Sequence, residues 1–366
     1  MKFCILSDTH FGARGANIHL EKFFEEFYTT IFFPYLEKHN IYTIVQLGDL
    51  YDSRKSSNHQ AIFNANRYFF SKFEHYSKFK LITLIGNHDT AQKHNIEINS
   101  TDLFLSKYKN VEIIKEPTQM YLGYDGQYPR EDTKISLIPW ICKENYNECI
   151  EFIKKDTSNV CFGHFEVAGF RMHKGGIVAQ HGLSQDIFEH YESVISGHYH
   201  HKSKKGNILY AGTPYQMSWN DFDDQKGFHI YDTETKKLTF IKNPLYLFVK
   251  GFYDDSGNTD THTSTYLSDE YIEQFREKYV KIHIVNRSNL HLYDLFLDKL
   301  YSVNPIEVNI IEDLQTEVAI ENDIDENDDT GTIISKYIDN LNNQDLCSIK
   351  LKSLMSTLYS EAKELE

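Results

Sequence analysis

The sequence predicts an α/β protein built on two packed mixed β-sheets flanked by helices. Three observations predict it. Short apolar runs of strand character alternate with helical stretches over the first two-thirds of the chain. The later apolar runs follow one another across turns, so the chain passes from an α/β beginning into a β-rich end. With 366 residues, 40% of them hydrophobic and 14% aromatic, there is apolar mass for a large domain and smaller additions.

Residues 2–7, 43–47, 81–85, 134–139, 159–162 and 193–196 read as short, largely buried strands, because each is a compact apolar run. Segments 20–38 and 59–79 carry apolar residues at helical spacing, with Phe and Tyr on the inner face. Further strands are expected at 208–211, 227–231 and 237–241, completing a domain over 1–245. Beyond Pro244, strands at 279–285 and 307–311 around an amphipathic helix at 290–303 suggest a small β/α unit over 250–316. Residues 317–331 hold Asp323, Asp325, Glu326, Asp328 and Asp329 in close succession; such charges repel, so a solvated linker is expected. Residues 332–366 return to helical periodicity, with one stripe at Ile334, Tyr337, Ile338 and Leu341 and another at Leu351, Leu354, Met355 and Leu358. Helices beyond a linker suit docking to a partner.

Charge and cysteine usage narrow the class. The 53 acidic and 38 basic residues leave a formal charge of −15, which argues against a simple basic nucleic-acid binder. A metal site is not excluded, since it brings its own positive charge. The first apolar run ends at Asp8, too early for a signal-peptide core, and no stretch approaches the ~20 apolar residues of a membrane helix. The 5 cysteines are odd in number and form no CxxC pair, so reduced thiols in a cytoplasm are expected.

The chemistry sits where strands end. Ser7-Asp8-Thr9-His10, Gly48-Asp49, Gly86-Asn87-His88-Asp89, Gly163-His164 and Gly197-His198-Tyr199-His200 each follow or close an expected strand. Sites in α/β architectures assemble from such loops. Any one of these clusters is most simply a turn or a cap; five in one chain point to a metal centre. The donors are carboxylate, imidazole and amide oxygen without thiolate, which suits Mn²⁺, Fe, Zn²⁺ or Mg²⁺. Asp8, His10, Asp49, Asn87, His164, His198 and His200 are too many for one open tetrahedral ion, whereas two ions about 3.5–4 Å apart would use them all.

The ordered set DxH, GD, GNHD, GH and GHxH resembles the calcineurin-type metallophosphoesterases. Gly48-Asp49-Leu50-Tyr51-Asp52-Ser53-Arg54, Leu137-Ile138-Pro139-Trp140, Gly163-His164-Phe165-Glu166 and Gly212-Thr213-Pro214 narrow the resemblance. They are similar to the nuclease subunits of SbcCD (Mre/Rad) DNA-repair complexes, including the recombination endonuclease subunit of large tailed phages.

That resemblance implies a four-layer sandwich in which one metal takes Asp8, His10 and His200, the other takes Asn87, His164 and His198, and Asp49 bridges. It implies water activated between two cations for in-line attack on phosphorus, with His88 as general acid. Asp52 stands where cellular relatives carry a second catalytic histidine, and is expected to orient His88 and raise its pKa. Gly-Asp-x-x-Asp-x-Arg also resembles the phosphatase branch, with Arg54 as a phosphate contact. The implied function is a Mn²⁺-dependent DNA nuclease, with Mg²⁺ as another possible metal. It would have 3′→5′ exonuclease and single-strand endonuclease activity in recombination and double-strand-break repair. The 250–316 unit would cap the site and select DNA form, the 332–366 helices would bind an SbcC-like coiled-coil ATPase, and a homodimer is expected. The alternatives are a phosphatase or small-molecule phosphodiesterase on the same centre, or a non-catalytic scaffold for the ATPase. His94, His173 and His201 are expected to face solvent, and Tyr215 and Trp219 to belong to the core before they stack on bases.

Overall fold

Alternation along the strands decides the layering. In the strand Lys2–Leu6, Phe3 and Ile5 face one way and Cys4 and Leu6 the other, and all four are wholly buried. Phe3 and Ile5 join Val45, Leu47, Ile82 and Leu84 in a core shared with Ile135, Leu137, Phe162 and Ile195 of a second sheet. Cys4 and Leu6 join Ile44, Leu81 and the helical aromatics Phe24, Phe27, Phe32 and Phe69 on the outer side. A strand covered on both faces must be apolar on both, which is why these segments read as continuous runs.

The computed structural model describes residues 1–312 except 55, 57, 75, 76, 177 and 257–264, and beyond 312 only Ile338, Leu354 and Met355. One six-stranded sheet has the order Lys237–Lys242, Gly227–Asp232, Lys2–Leu6, Thr43–Gln46, Lys80–Leu84, Val111–Ile114. The last four of these strands are parallel, and Gly227–Asp232 runs antiparallel to Lys2–Leu6. The second sheet has the order Ser203–Lys205, Ile208–Tyr210, Ser193–Gly197, Val160–His164, Lys134–Ile138, Thr118–Tyr121. Its central four strands are parallel and both edges antiparallel. Helix Tyr146–Lys155 closes its outer face, burying Cys149 and Ile153 against Cys161 and Val194. The result is the expected pair of packed mixed sheets flanked by helices.

The two long helical segments are interrupted. The first begins under Asn17, whose Oδ1 accepts from the backbone N–H of His19 and Leu20. It runs as Ile18–Glu26, a π-helical turn Phe27–Phe32, and Phe33–Lys38. The second is helical over His59–Tyr68 and then tightens into a 3₁₀ turn Phe70–Phe73. Phe69, Phe70 and Phe73 are all wholly buried and extend the aromatic layer, with Phe69 packed on Phe32 and Phe33 and Phe73 on Phe33.

A third sheet of three parallel strands, Phe248–Asp254, Tyr279–Asn286 and Glu307–Glu312, has its own core with helix Leu290–Ser302, centred on Tyr253, Phe275, Ile282 and Phe296. It is tied to the large domain where the Gln216 Oε1 accepts from the N–H of Leu247 (2.8 Å) and Phe248 (3.1 Å). The expected linker 317–331 and helices 332–366 lie outside the described residues, apart from Ile338, Leu354 and Met355.

Candidate metal centre

Parallel pairing brings the motif loops together. Lys2–Leu6, Thr43–Gln46 and Lys80–Leu84 are adjacent and parallel, so Asp8, Asp49 and Asn87 leave the same edge of the first sheet. In the second sheet His164 is paired with Gly197, which puts His198 and His200 beside it. Asp8 (φ 43°), His10 (φ 43°), Asp49 (φ 52°) and His198 (φ 88°) adopt left-handed backbone conformations, a strain that recurs where function over-determines a turn. Gly86 is required for close approach: a Cβ there would strike the main-chain nitrogen and the carboxylate of Asp49.

Two groups of donors result. Asp8, His10 and His200 form one, with His10 Nε2 and His200 Nε2 3.2 Å apart. Asp49, His164 and His198 form the other, and Asn87 Oδ1 stands 2.9 Å from His164 Nε2 and 2.8 Å from His198 Nδ1. Asp49 lies between them, its Oδ2 3.7 Å from His10 Nε2 and 3.4 Å from His164 Nε2. His164 Nδ1 donates to the Leu47 carbonyl at 2.7 Å, which leaves a lone pair on Nε2 aimed at two oxygens. Such a convergence of lone pairs is unfavourable unless a proton or a cation sits among them, so the donor set fits metal ions.

The electrostatics say the same. Burial opposes charge on His10, yet the carboxylates of Asp52, Asp49 and Asp8 outweigh it and lift its pKa to about 9. His164 is lifted to about 9 against burial by Asp49 and Asp8. Burial and the neighbouring His164 push His198 down to about 3, and His200 also falls. Asp49 is held well below the carboxylate range: burial would raise it, but His164, His10 and His88 prevail. Without metal, protons on two histidines take the place of cations.

Around this centre the structure revises the expected role of Asp52. It is the main-chain carbonyl of Asp52 that accepts from His88 Nδ1, at 2.7 Å, while its carboxylate lies 3.2 Å from His10 Nδ1. The carboxylate is thus a close charged neighbour of His10, without hydrogen-bond geometry, and His88 is shifted down, chiefly by burial, instead of up. His88 is also fixed through its backbone N–H, which donates to Asp49 Oδ1 at 2.7 Å. With Nδ1 engaged, Nε2 is the nitrogen free to work. Arg54 Nε donates to the Asn87 carbonyl at 2.7 Å, so this half-buried side chain braces the Asn87 loop.

Several contributors escape a reading of the motifs alone. Asp89, wholly enclosed and pushed by burial and the Asp49 charge to about 7, accepts from the N–H groups of Leu50, Tyr51 and Gly86, bolting two ligand loops together. Trp140 walls the site, its ring 5.3 Å from His198 and 5.9 Å from His164. His173 does not face solvent: it is half-buried, edge-on to His200 at 5.3 Å. His201 is half-buried as well, on Asp224 at 2.9 Å, whereas His94 is exposed. Tyr215 is core, stacked on Phe24 at 4.0 Å, its hydroxyl donating to the Thr9 carbonyl at 2.6 Å. Trp219 is half-buried between Phe248 and the Lys281 ammonium.

Paired donor groups sharing one carboxylate between two sandwiched sheets define a metal-dependent phosphoesterase. Residues 1–285 match the calcineurin-like phosphoesterase family, and the chain belongs to it. Exonuclease subunit 1 of Enterobacteria phage T4 is 35% identical to this chain over 234 residues, 64% of this chain and 66% of that relative, just under two-thirds of its length. The SbcD component of nuclease SbcCD from Staphylococcus epidermidis is 23% identical, over 97% of this chain and 98% of its own. The corresponding component from Staphylococcus saprophyticus is 23% identical over 58% of each.

Proposed function

We propose that the chain is a two-metal DNA nuclease that works with an SbcC-like ATPase in recombination and double-strand-break processing. The observation that carries this reading is the position of Asp49 between the two donor groups, with His88 held beside them. Asp8, His10 and His200 would hold one cation and Asn87, His164 and His198 the other, with Asp49 shared; Mn²⁺ suits these ligands, and Mg²⁺ is the second choice. When bound, the pair supplies Lewis acidity and an activated water for in-line displacement at phosphorus.

The chain's own residues do the rest. The Leu47 carbonyl keeps His164 turned so that its Nε2 faces the centre, and the Asp52 carboxylate is the charged neighbour of His10 on the Nδ1 side. His88, anchored at its backbone N–H and Nδ1, turns Nε2 toward the departing sugar oxygen, and in its imidazolium form it gives that oxygen a proton. Arg54 steadies Asn87. The third sheet caps the site and selects DNA form, residues 332–366 bind the ATPase, and the protein acts as a homodimer in the cytoplasm. The relatives' names support nuclease and exonuclease action; the 3′→5′ direction and endonuclease action on single strands are part of the proposal. Among the described residues no helix is long and apolar enough to cross a membrane.

The test is cleavage of single- and double-stranded DNA with Mn²⁺, with and without the ATPase. Digestion that disappears in Asp49→Ala is expected. Turnover of phosphomonoesters with no DNA cleavage, even with the ATPase present, would overturn the reading.

A further inference from the structure

On the His164 side of the centre a cleft of about 440 Å³ opens between the loop after Lys134–Ile138, the helix Tyr146–Lys155 and the turn at Gly182. Its apolar lining is Trp140, Ile141, Ile150, Leu183 and Ile187, all only partly buried, so an apolar wall is left open beside the chemistry. His164 belongs both to this lining and to the candidate ligands. The indole N–H of Trp140 is buried and has no hydrogen-bond partner among the described residues. Lys154 and Glu166 put one charge of each sign at the edge.

We propose that this cleft receives the base of a nucleotide adjoining the scissile phosphate, so that the strand binds with that base unpaired and out of its stack. The proposal rests on the nuclease reading and adds a substrate subsite to it. The volume lies in the range of small-molecule pockets and is too small for a base pair with its backbones. A flat heteroaromatic ring with apolar faces and a polar edge matches this lining: the faces meet the Trp140 ring and the isoleucines, and the edge meets the Glu166 carboxylate. Glu166 repels a phosphate from the interior, while Lys154 can reach one outside. Continuity with His164 fixes which nucleotide enters: the one whose phosphate lies at the metals.

The test compares two single-stranded oligonucleotides in Mn²⁺, one intact and one with a tetrahydrofuran abasic nucleotide flanking the cleaved bond. Loss of one base–aromatic stack is expected to slow cleavage at the abasic position about tenfold or more. Ile150→Trp, which fills the cleft, should bring the ratio of the two rates close to one. Equal rates in the unaltered protein would overturn the proposal. A second measurement does not depend on cleavage. The chain has 2 tryptophans, and Trp219→Phe leaves Trp140 as the sole tryptophan, excited selectively at wavelengths where tyrosine does not absorb. Thymidine 5′-monophosphate should quench it saturably and deoxyribose 5-phosphate should not; equal effects of the two would overturn the cleft as a base site. DNA cleavage without abasic discrimination removes the cleft alone. Absent cleavage removes the nuclease reading, and the fluorescence still reports on the cleft.

Discussion

Asp52→Asn separates the two roles open to this carboxylate. Its Oδ1 lies 3.2 Å from His10 Nδ1, and only its main-chain carbonyl meets His88. A full ion pair at that distance would be worth about 5 kcal/mol at an effective dielectric near 20. The Asp52 side chain is 34% exposed, so solvent screens much of this. About 1–3 kcal/mol remains, in line with the roughly 10–100-fold loss of metal affinity typical when the partner of a ligating histidine is removed. The Asp52 pKa is held low: burial raises it, but the contact with His10 wins, so the carboxylate is charged throughout the neutral range. Equilibrium Mn²⁺ binding to Asp52→Asn should therefore show one weakened site and one unchanged site, most clearly near pH 9, where proton competition at His10 has faded. Two unaltered sites, with a displaced pH profile of turnover, would refute the assignment and place the carboxylate on His88.

Three further outcomes follow from the same geometry. His88→Ala should lower kcat by about 10²–10⁴ while both Mn²⁺ sites persist, as calorimetry can establish; loss of metal would make His88 a ligand instead. Because His10 and His164 titrate at about 9 without metal, both are protonated at neutral pH and must shed protons on loading. Calorimetry in buffers of different ionisation enthalpy should find about two protons released per chain at pH 7.5, with affinity rising with pH until about 9; affinity independent of pH would contradict this. Deleting residues 332–366 should abolish co-purification with the ATPase while DNA cleavage by the isolated nuclease chain survives, and retained co-purification would place the interface elsewhere.

The candidate metal-binding residues are legible in the sequence because each follows or closes a strand, and a strand's end is visible as the place where an apolar run stops. Parallel order then delivers Asp8, Asp49 and Asn87 to one edge without further information. The role of Asp52 is not legible, since spacing puts the residue near the site but does not say whether carboxylate or carbonyl turns toward His88. The bridge between Phe11 and Tyr51 settles that by fixing the path of the loop. His173 is hidden for a similar reason: the His201 N–H donates to the Met172 carbonyl at 3.0 Å, folding a remote loop back on His200. The strand Phe248–Asp254 escapes a pattern reading because Lys250 and Gly251 interrupt its short apolar run. Trp140 stands at a recognisable strand end, yet its contact with His198 joins loops of different strands, which no local pattern reveals.

Everything above depends on Asp49 holding two cations in one centre. Counting Mn²⁺ bound per chain at saturation, for the unaltered protein and for Asp49→Ala, tests this most directly. Two ions per chain, with both lost or greatly weakened in Asp49→Ala, is the predicted result. A single ion, or two ions whose affinities survive removal of Asp49, would contradict it.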